Sequence, residues 1–370
     1  MKYYVIAGEA SGDLHGSNLL RELKKRDSES DFRCWGGDLM QAQGAKLVKH
    51  YRDLAFMGFI EVLANLKTIL SNIDFCKKDV LDYAPDVLIL IDYPGFNLRI
   101  AEFAKKSGIR VFYYISPQIW AWKQSRVHKI KRDVDRMFVI LPFEKDFYAR
   151  FDVKVDFVGH PLLDAITNSS TSIALQLDNE SNSDIVALLP GSRKQEVMQS
   201  LPIMLAMVER FKQCKFVIAA APSLPREFYL KLTQGYAVEL VYNQTYALLK
   251  ASKAALVTSG TATLETALFE VPEVVCYKGS KVSYWIARQL VKVKYISLVN
   301  LIMDRLVVKE LIQHDFSVKQ VEEELKKLLY DVSYRTNLKK DYSELIHQLG
   351  GAGASAKTAE LMLQYLKTDL

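Results

Sequence analysis

Residues 87–97 of this 370-residue chain read VLILIDYPGFN, and this stretch decides the fold. Its first five residues are an unbroken apolar run, as expected of a parallel strand that is buried on both faces of a sheet. The run ends at Asp92, and a helix is predicted over 97–106. The carboxyl end of such a strand lies at the edge where open α/β sheets bind ligands. The sequence therefore predicts an α/β protein with a polar site near Asp92.

Short apolar runs alternate with helical patterns on both sides of this stretch. Further strands are predicted at 3–7, 111–115, 136–141 and 155–158, and then at 185–189, 216–221, 238–241, 254–257 and 274–277. Helices are predicted at 19–25, at 261–269 and over most of the chain after 318. This alternation is typical of parallel sheets with right-handed helical crossovers.

One polar segment interrupts the pattern. Residues 164–184, DAITNSSTSIALQLDNESNSD, have few apolar anchors and are predicted to be a linker. We therefore expect two doubly wound domains, at 1–165 and 183–350, facing a cleft. A final helix at about 355–370 follows a glycine-rich turn and is expected to pack back on the first domain.

Composition excludes several classes of protein. Hydrophobic residues make up 49% and charged residues 25%, which excludes a mainly disordered chain. Four dispersed cysteines without a CxxC pair argue against a disulfide framework or zinc knuckle, and the histidines lack zinc-site spacing. No apolar run approaches the ~18 residues of a spanning helix, which favours the cytoplasm or a membrane surface. We expect neither a metal nor another cofactor.

The net charge of +6 permits anionic partners such as nucleic acid, phospholipid or phosphorylated substrates. Nucleic acid is the least favoured, because the basic stretches lack known nucleic-acid-binding patterns. Residues 105–132 hold eight Lys or Arg and no Asp or Glu, which would attract phosphate or anionic lipid or would simply form a solvated helix face. Within them, Trp120 and Trp122 would form an apolar ligand wall, enter lipid headgroups or lie in the core.

Two motifs of the first half can carry chemistry. GEASGD (8–13) follows the first predicted strand, where small residues let backbone amides approach an anion. An ordinary turn with Ser11 or Asp13 as helix cap fits equally well. At Asp92, partial desolvation would raise the proton affinity, as suits a general base, whereas the alternative is a cap of the following helix.

Two motifs of the second half are typical of a nucleotide site. LLPGSR (188–193) places Arg193 between a strand and a helix, where a guanidinium can bind a diphosphate. SGTATLE (259–265) offers free amides and hydroxyls to phosphate, and Glu265 can accept ribose hydroxyls. Together they predict a nucleoside diphosphate site.

An apolar stripe at helical spacing precedes residue 70. Such a stripe is more often core, but it would also suit acyl chains or a membrane surface. Its members predicted to face membrane or acyl chains are Phe56, Met57, Phe59, Ile60, Leu63 and Leu66.

These motifs, with six others in register, resemble the lipid-A-disaccharide synthase family. The others are MGFIEVL (57–63), IDYPGFN (91–97), SPQIWAWK (116–123), LPFEKDFY (141–148), VGHPL (158–162) and SLVNLI (297–302). The resemblance implies an inverting glycosyltransferase of the GT-B type, with two Rossmann-like domains. It would join UDP-2,3-diacylglucosamine to 2,3-diacylglucosamine 1-phosphate (lipid X) on the cytoplasmic face of the inner membrane of a Gram-negative bacterium. Many members carry Asp where this chain has Gly95.

The resemblance also implies roles for single residues. Asp92 is expected to be the general base, and a homodimer would form through the C-terminal half. The candidates for UDP binding are Gly191, Ser192, Arg193, Ser259, Gly260, Thr261, Glu265, Asn300 and Gln313. The candidates for the acceptor side are Glu9, Ser11, Gly12, Asn97 and Trp120.

Two other functions remain open from the sequence. The first is another UDP-GlcNAc-dependent enzyme of the same fold, either a peptidoglycan glycosyltransferase or an epimerase. The second is a non-catalytic nucleotide-binding module that docks on membranes, for which Asp92→Asn would leave function intact.

Overall fold

The computed structural model describes residues 1–53, 66–168, 175, 183–279 and 294–368. The chain divides into two compact units, Met1–Asn168 with Leu349–Leu370, and Ser169–Gln348. Each unit contains one parallel sheet with helical crossovers. Residues 169–174 and 176–182 of the predicted linker lie outside the described residues, and its first residues belong to a helix instead.

The first unit is built on a seven-stranded sheet in the order β3-β2-β1-β4-β5-β6-β7. Its strands are β1 (Lys2–Ala7), β2 (Asp31–Gly36), β3 (Lys46–His50), β4 (Val87–Ile91), β5 (Arg110–Tyr114), β6 (Arg136–Val139) and β7 (Asp156–Phe157). Its helices are α1 (Ala10–Arg26), α2 (Asp38–Ala42), α3 (Leu66–Tyr83), α4 (Pro94–Lys106), α5 (Ile119–Trp122), α6 (Val127–Asp133), α7 (Glu144–Ala149) and α8 (Pro161–Asn168).

The second unit is built on a six-stranded sheet in the order β10-β9-β8-β11-β12-β13. Its strands are β8 (Ile185–Leu189), β9 (Lys215–Ala220), β10 (Val238–Tyr242), β11 (Ser252–Thr258), β12 (Glu273–Tyr277) and β13 (Lys309–Ile312). Its helices are α9 (Lys194–Leu205), α10 (Arg226–Thr233), α11 (Thr245–Ala251), α12 (Thr261–Leu268), α13 (Leu298–Met303), α14 (Val318–Tyr330) and α15 (Val332–Gln348).

Both sheets follow the strand order of the dinucleotide-binding Rossmann fold, which reverses beside its first strand. In the first unit the reversal lies between β1 and β4, where Ala7 pairs with Ile91. In the second unit it lies between β8 and β11, where Leu189 pairs with Val257. Ligands of such sheets bind at the carboxyl ends of the strands at this reversal. The turns after β1, β4, β8 and β11 therefore contain the candidate sites.

The last helix, α16 (Ala354–Thr368), belongs to the first unit and packs against α1. The buried Asp164 carboxylate accepts hydrogen bonds from the backbone N–H groups of Gly353 and Ser355, at 2.6 and 2.7 Å. These N–H groups have no partner inside the helix, so Asp164 caps it from another part of the chain. No helix among the described residues is long and apolar enough to cross a membrane.

Glu273, at the start of β12, is a buried carboxyl group without hydrogen-bond partners. It is 0% exposed, and neither oxygen is bonded to any described residue. Burial raises its pKa well above the ordinary value. The nearby Tyr342 hydroxyl is also buried and unbonded within the described part of the chain. The folded chain therefore favours the protonated form of Glu273.

We expect Glu273→Met to raise the melting temperature, and to raise it more at pH 8 than at pH 5. The unfolded chain loses this proton above about pH 4.3, whereas the raised folded-state pKa resists the loss. The native residue therefore destabilises the fold increasingly as the pH rises above that value. Each kcal/mol recovered adds about 2–4 °C. Thermal unfolding at both pH values measures this, with Glu270→Met, at an exposed position, as the control. An equal gain at both pH values would contradict the expectation.

Candidate functional site

The site of the first unit begins at the N-terminus of α1, directly after β1. Glu9 precedes this 17-residue helix in extended conformation, and no side chain caps the helix. Glu9, Ala10 and Ser11 are exposed, so the N–H groups of the first turn face outward. Gly12 is buried against β1, since a Cβ there would lie 3.0 Å from the Ala7 Cβ. The helix N-terminus thus offers donors and partial positive charge beside the end of β4.

Asp13 does not cap its own helix, which corrects one alternative for this motif. Its buried carboxylate accepts hydrogen bonds from the backbone N–H groups of Gly37, Leu39 and Met40, at 2.8, 3.1 and 3.0 Å. These groups lie at the start of α2, so Asp13 fixes α2 to α1. Ser11 makes no capping bond either. The first turn of α1 is therefore left open to a ligand.

Asp92 follows β4 in a left-handed backbone conformation. The φ angles of Asp92 and Tyr93 are +42° and +50°, a region that is costly for residues other than glycine. The buried Asn97 side-chain amide donates to the backbone oxygens of Ile91 and Asp92, at 3.2 and 2.7 Å. The Tyr113 hydroxyl also donates to the Asp92 backbone oxygen. Three hydrogen bonds from two side chains thus hold the backbone of the turn that carries Asp92.

The Asp92 carboxylate is half-buried and has an unusual proton affinity. Burial, followed by the negative charge of Glu9, raises its pKa to about 7. A general base works best when its pKa lies near the operating pH. Its position at the strand reversal and this pKa make Asp92 suitable for removing a proton from a bound hydroxyl.

Two glycines near Asp92 differ in whether a larger side chain would fit at their position. A Cβ at Gly8 would lie 2.3 Å from the Tyr93 ring, so only glycine lets that ring pack on the backbone after β1. Gly95 is exposed and has no atom within 4 Å of a Cβ position. An aspartate at position 95 would therefore fit here without displacing neighbours.

Trp120 lies in the core, one of the alternatives for this motif, and its assignment to the acceptor side stays a prediction. Its side chain is 7% exposed, and its indole N–H donates to the buried Glu144 carboxylate at 3.2 Å. Glu144 also accepts from the backbone N–H groups of Ile140 and Leu141, at 3.2 and 3.0 Å. The indole nitrogen is thus already bonded within the unit, and Trp122 is the tryptophan that is exposed, at 46%.

In the second unit, the turn after β8 leads into α9 through Arg193. Gly191 has φ +107°, and a Cβ there would lie 2.7 Å from Glu196 Oε2. Glu196 accepts hydrogen bonds from the Arg193 backbone N–H at 3.3 Å and from its Nη1 at 3.2 Å. Ser192 and Arg193 are exposed, and the rest of the guanidinium fork faces outward. This geometry offers Arg193 to an anion at the N-terminus of α9.

The turn after β11 lies beside it. Gly260 and Thr261 are exposed at the start of α12, and no atom of the described residues lies within 4 Å of a Cβ position at Gly260. The Ser259 hydroxyl donates to the Ile296 backbone oxygen at 3.1 Å and is therefore used within the unit. Glu265 is half-buried and accepts from the Tyr246 hydroxyl at 3.3 Å, and burial raises its pKa. These residues can surround a diphosphate and its ribose.

The side-chain amide of Asn300 is bonded within the second unit, and its assignment to the nucleotide stays a prediction. It is fully buried, and its Nδ2 donates to the Val308 backbone oxygen and to Glu310, each at 2.9 Å. Its Oδ1 accepts from the N–H groups of Val307 and Val308, at 2.8 and 2.9 Å. The amide of Asn300 is thus fully bonded and holds the segment before β13 in place.

Gln313 is also bonded within the second unit. Its side-chain amide is oriented so that the nitrogen faces an acceptor and the oxygen faces a donor. In this orientation Gln313 donates to the Gly279 oxygen at 3.3 Å and accepts from the Gly279 N–H at 3.2 Å. Its backbone is left-handed, with φ +54°. The Gln313 amide is thus paired within the unit, and its assignment to the nucleotide stays a prediction.

Some predictions cannot be placed. The apolar stripe at 56–63 lies outside the described residues, as does the side chain of Leu66. Among the described residues, no three His, Cys, Asp or Glu side chains group as metal ligands.

Sequence reasoning missed Tyr113 and Tyr246, because each looks like an ordinary aromatic residue of an apolar segment.

Comparison with known proteins identifies close relatives. A family model described as "Lipid-A-disaccharide synthetase" matches residues 3–365. The chain is 40% identical over 371 residues to a lipid-A-disaccharide synthase of Trichlorobacter lovleyi, covering 98% of this chain and 97% of the relative. It is 41% identical over 373 residues to one of Syntrophus aciditrophicus, with the same coverage.

Solved structures share the fold at low identity. A UDP-GlcNAc 2-epimerase from Neisseria meningitidis, bound to UDP-GlcNAc, superposes with a TM-score of 0.68 at 16% identity, covering 98% of this chain and 100% of that one. The glycotransferase of kitacinnamycin superposes with a TM-score of 0.66 at 15% identity, covering 99% of both chains. The predicted α/β fold, with two Rossmann-like domains of the GT-B type, is confirmed.

Proposed function

The chain belongs to the lipid-A-disaccharide synthase family, and we propose that Asp92 and the Arg193 turn divide the chemistry of that family's reaction between them. The reaction joins UDP-2,3-diacylglucosamine to lipid X and releases UDP. The rival assignments to a peptidoglycan glycosyltransferase or an epimerase are not favoured, because relatives at about 40% identity are lipid-A-disaccharide synthases.

Asp92 acts as the general base for the acceptor. Its carboxylate removes the proton of the acceptor's 6-hydroxyl as that oxygen attacks the anomeric carbon of the UDP-sugar. The bond to UDP breaks on the opposite face of the carbon, so the configuration inverts. Asp92 then returns the proton to solvent. The observation that carries this role is a half-buried carboxylate with a pKa of about 7 at the strand reversal.

Four further residues of the first unit support this step. Asn97 and Tyr113 position Asp92 through its backbone oxygen. Glu9 raises the pKa of Asp92 and keeps it basic enough to accept a proton. Ser11 and the open first turn of α1 donate hydrogen bonds to the acceptor sugar.

The second unit binds UDP. The Arg193 guanidinium and the N–H groups at Gly260 and Thr261 bind the diphosphate, on which negative charge grows as the sugar leaves. Glu265 accepts the ribose hydroxyls.

Fixed donors such as the Arg193 guanidinium stabilise the leaving group without a metal ion, so we expect activity to persist in the presence of EDTA.

We propose that the protein works at the cytoplasmic surface of the inner membrane, because both substrates carry acyl chains. Exposed apolar side chains of the first unit support this proposal. Leu70 and Phe75 of α3 are 49% exposed, and Trp122 is 46% exposed.

The homodimer through the C-terminal half stays a prediction, and sedimentation equilibrium tests it.

A product assay tests the proposed function. Purified protein is incubated with UDP-2,3-diacylglucosamine and lipid X, and the lipids are separated and analysed by mass spectrometry. We expect a tetraacyl disaccharide 1-phosphate and one UDP per disaccharide. Conversion of UDP-GlcNAc to its 2-epimer, without disaccharide, would support the epimerase instead. UDP binding without any product would support the non-catalytic module.

A further inference from the structure

Half of the eight basic residues at 105–132 form ion pairs in the folded unit. Its two lysines nearest the start pair with Asp135 and Glu102, and two basic residues near its end pair with Asp152 and with Asp133. Arg110 donates to the backbone oxygen of Leu366 at 3.1 Å. The pairing partners lie outside the stretch or at its end, so the sequence pattern alone overstates its positive charge.

Lys123 and Arg126 differ from the other basic residues of the stretch in that both contact Trp122. Neither forms an ion pair with any described residue, and the Arg126 guanidinium donates no hydrogen bond within the described part of the chain. Both lie over the ring of Trp122, with Lys123 Nζ 4.7 Å and Arg126 Cζ 5.5 Å from its centre. Trp122 itself is 46% exposed. Two cations thus surround one exposed indole without a carboxylate to balance them.

This cluster lies at the same sheet edge as Asp92. It follows β5, which pairs with β4 up to Ile91 and Tyr114. Arg126 is half-buried, and burial lowers its pKa. Arg126 is close enough to Tyr113 for each to influence the other's pKa, and Tyr113 bonds to the Asp92 backbone. The two cations are therefore neighbours of the proposed acceptor site.

We propose that Lys123 and Arg126, held over Trp122, bind the phosphate monoester of the acceptor. The assignment rests on the proposed function, because only that reaction places a sugar 1-phosphate beside Asp92. The half-buried Arg126 guanidinium loses hydration, and among the described residues only its contact with the Trp122 ring offsets this loss. A phosphate would supply the charge-assisted hydrogen bonds that the guanidinium lacks. The indole face suits the sugar ring that carries the phosphate. UDP is not the occupant, since its proposed ligands all belong to the second unit.

The test compares two acceptors. kcat/KM is measured for lipid X and for the same diacylglucosamine without its phosphate, with wild type, Lys123→Ala, Arg126→Ala and Lys131→Ala. Lys131 is the matched control, because it lies on the next helix and contacts Asp152 at 3.8 Å. A charge-assisted bond is worth about 1.5–3 kcal/mol, so we expect Arg126→Ala to lower kcat/KM for lipid X by about 10–100-fold. The dephosphorylated acceptor and the KM for the UDP-sugar should change little.

Two outcomes would overturn the proposal. In one, Arg126→Ala lowers the rates with both acceptors equally, or lowers neither. In the other, the loss appears only with phosphatidylglycerol vesicles and vanishes in neutral detergent micelles, which would assign the cations to the bilayer. Equilibrium binding of lipid X without UDP-sugar is measured in parallel. Weaker binding to Arg126→Ala would support the phosphate site even if Asp92 proved not to be the base.

Discussion

Replacing Asp92 by Asn should lower turnover by about 10²–10⁴-fold and leave the affinity for UDP unchanged. The amide cannot accept the proton of the acceptor hydroxyl, so the step loses its base. Asn keeps the size of the side chain and tolerates the left-handed backbone at this position, where φ is +42°. A loss of turnover would therefore report lost chemistry rather than a rearranged turn.

The measurement is kcat with both lipid substrates, together with calorimetric titration of UDP. Asp82→Asn serves as the control, because Asp82 is an exposed carboxylate on α3 of the same unit. Turnover within a few-fold of wild type for Asp92→Asn would remove Asp92 as the base. A large loss of UDP affinity would mean that Asp92 acts on the nucleotide instead.

Replacing Arg193 by Ala should lower kcat/KM for the UDP-sugar by about 10²–10³-fold and weaken UDP binding. Its guanidinium is an exposed cation at the N-terminus of α9, beside the exposed Lys194, and a forked donor suits a diphosphate better than a point charge does. Arg193→Lys should recover only part of the loss. The acceptor's KM should change little, since its proposed ligands belong to the first unit.

Steady-state kinetics and UDP titration check this expectation. Arg210→Ala is the control, because Arg210 is an exposed arginine of the same unit that pairs with Glu322 at 2.9 Å. If UDP binds the Arg193→Ala protein as tightly as wild type, the diphosphate must lie elsewhere. If the acceptor's KM rises instead, Arg193 belongs to the other substrate.

The strands β4 and β8 were predictable because burial on both faces leaves a continuous apolar run, whereas the inner strand β2, DFRCWG, lacks such a run and was missed. Val87–Ile91 and Ile185–Leu189 match their predicted bounds. The outer strands β3 and β13, KLVKH and KELI, were missed because they are only partly buried and carry charged residues within the strand. Edge strands of this kind lack the signal that a two-sided core imposes.

The start of α1 was missed for a packing reason. The prediction began at residue 19, whereas the helix begins at Ala10 and includes Gly12 and Gly16. Glycine disfavours helices, but a Cβ at Gly16 would lie 2.8 Å from Met40 Sδ and 3.2 Å from Ile91 Cδ1. Close contact of α1 with the sheet outweighs the local preference, and a single sequence does not display that contact.

The candidate residues that directly follow a strand could be located from the sequence, because the order of the strands determines where they lie. Asp92, Arg193 and Gly260 follow strands at the reversals, so the pattern of strands locates them. The burial and internal hydrogen bonds of Trp120 and Asn300 were not predictable, because side chains that suit a binding site also serve as donors and acceptors inside the fold. Only tertiary burial distinguishes the two uses.

The pH dependence of kcat/KM for the acceptor, measured for wild type and Glu9→Gln, tests most directly whether Asp92 is the base. A base must be unprotonated, so the rate should fall tenfold per pH unit below about pH 7 and level off above it. Removing the Glu9 charge lowers the pKa of Asp92, so in Glu9→Gln the fall should begin at lower pH. A flat profile between pH 5 and 8, or an acidic fall at the same pH in both proteins, would contradict this role of Asp92.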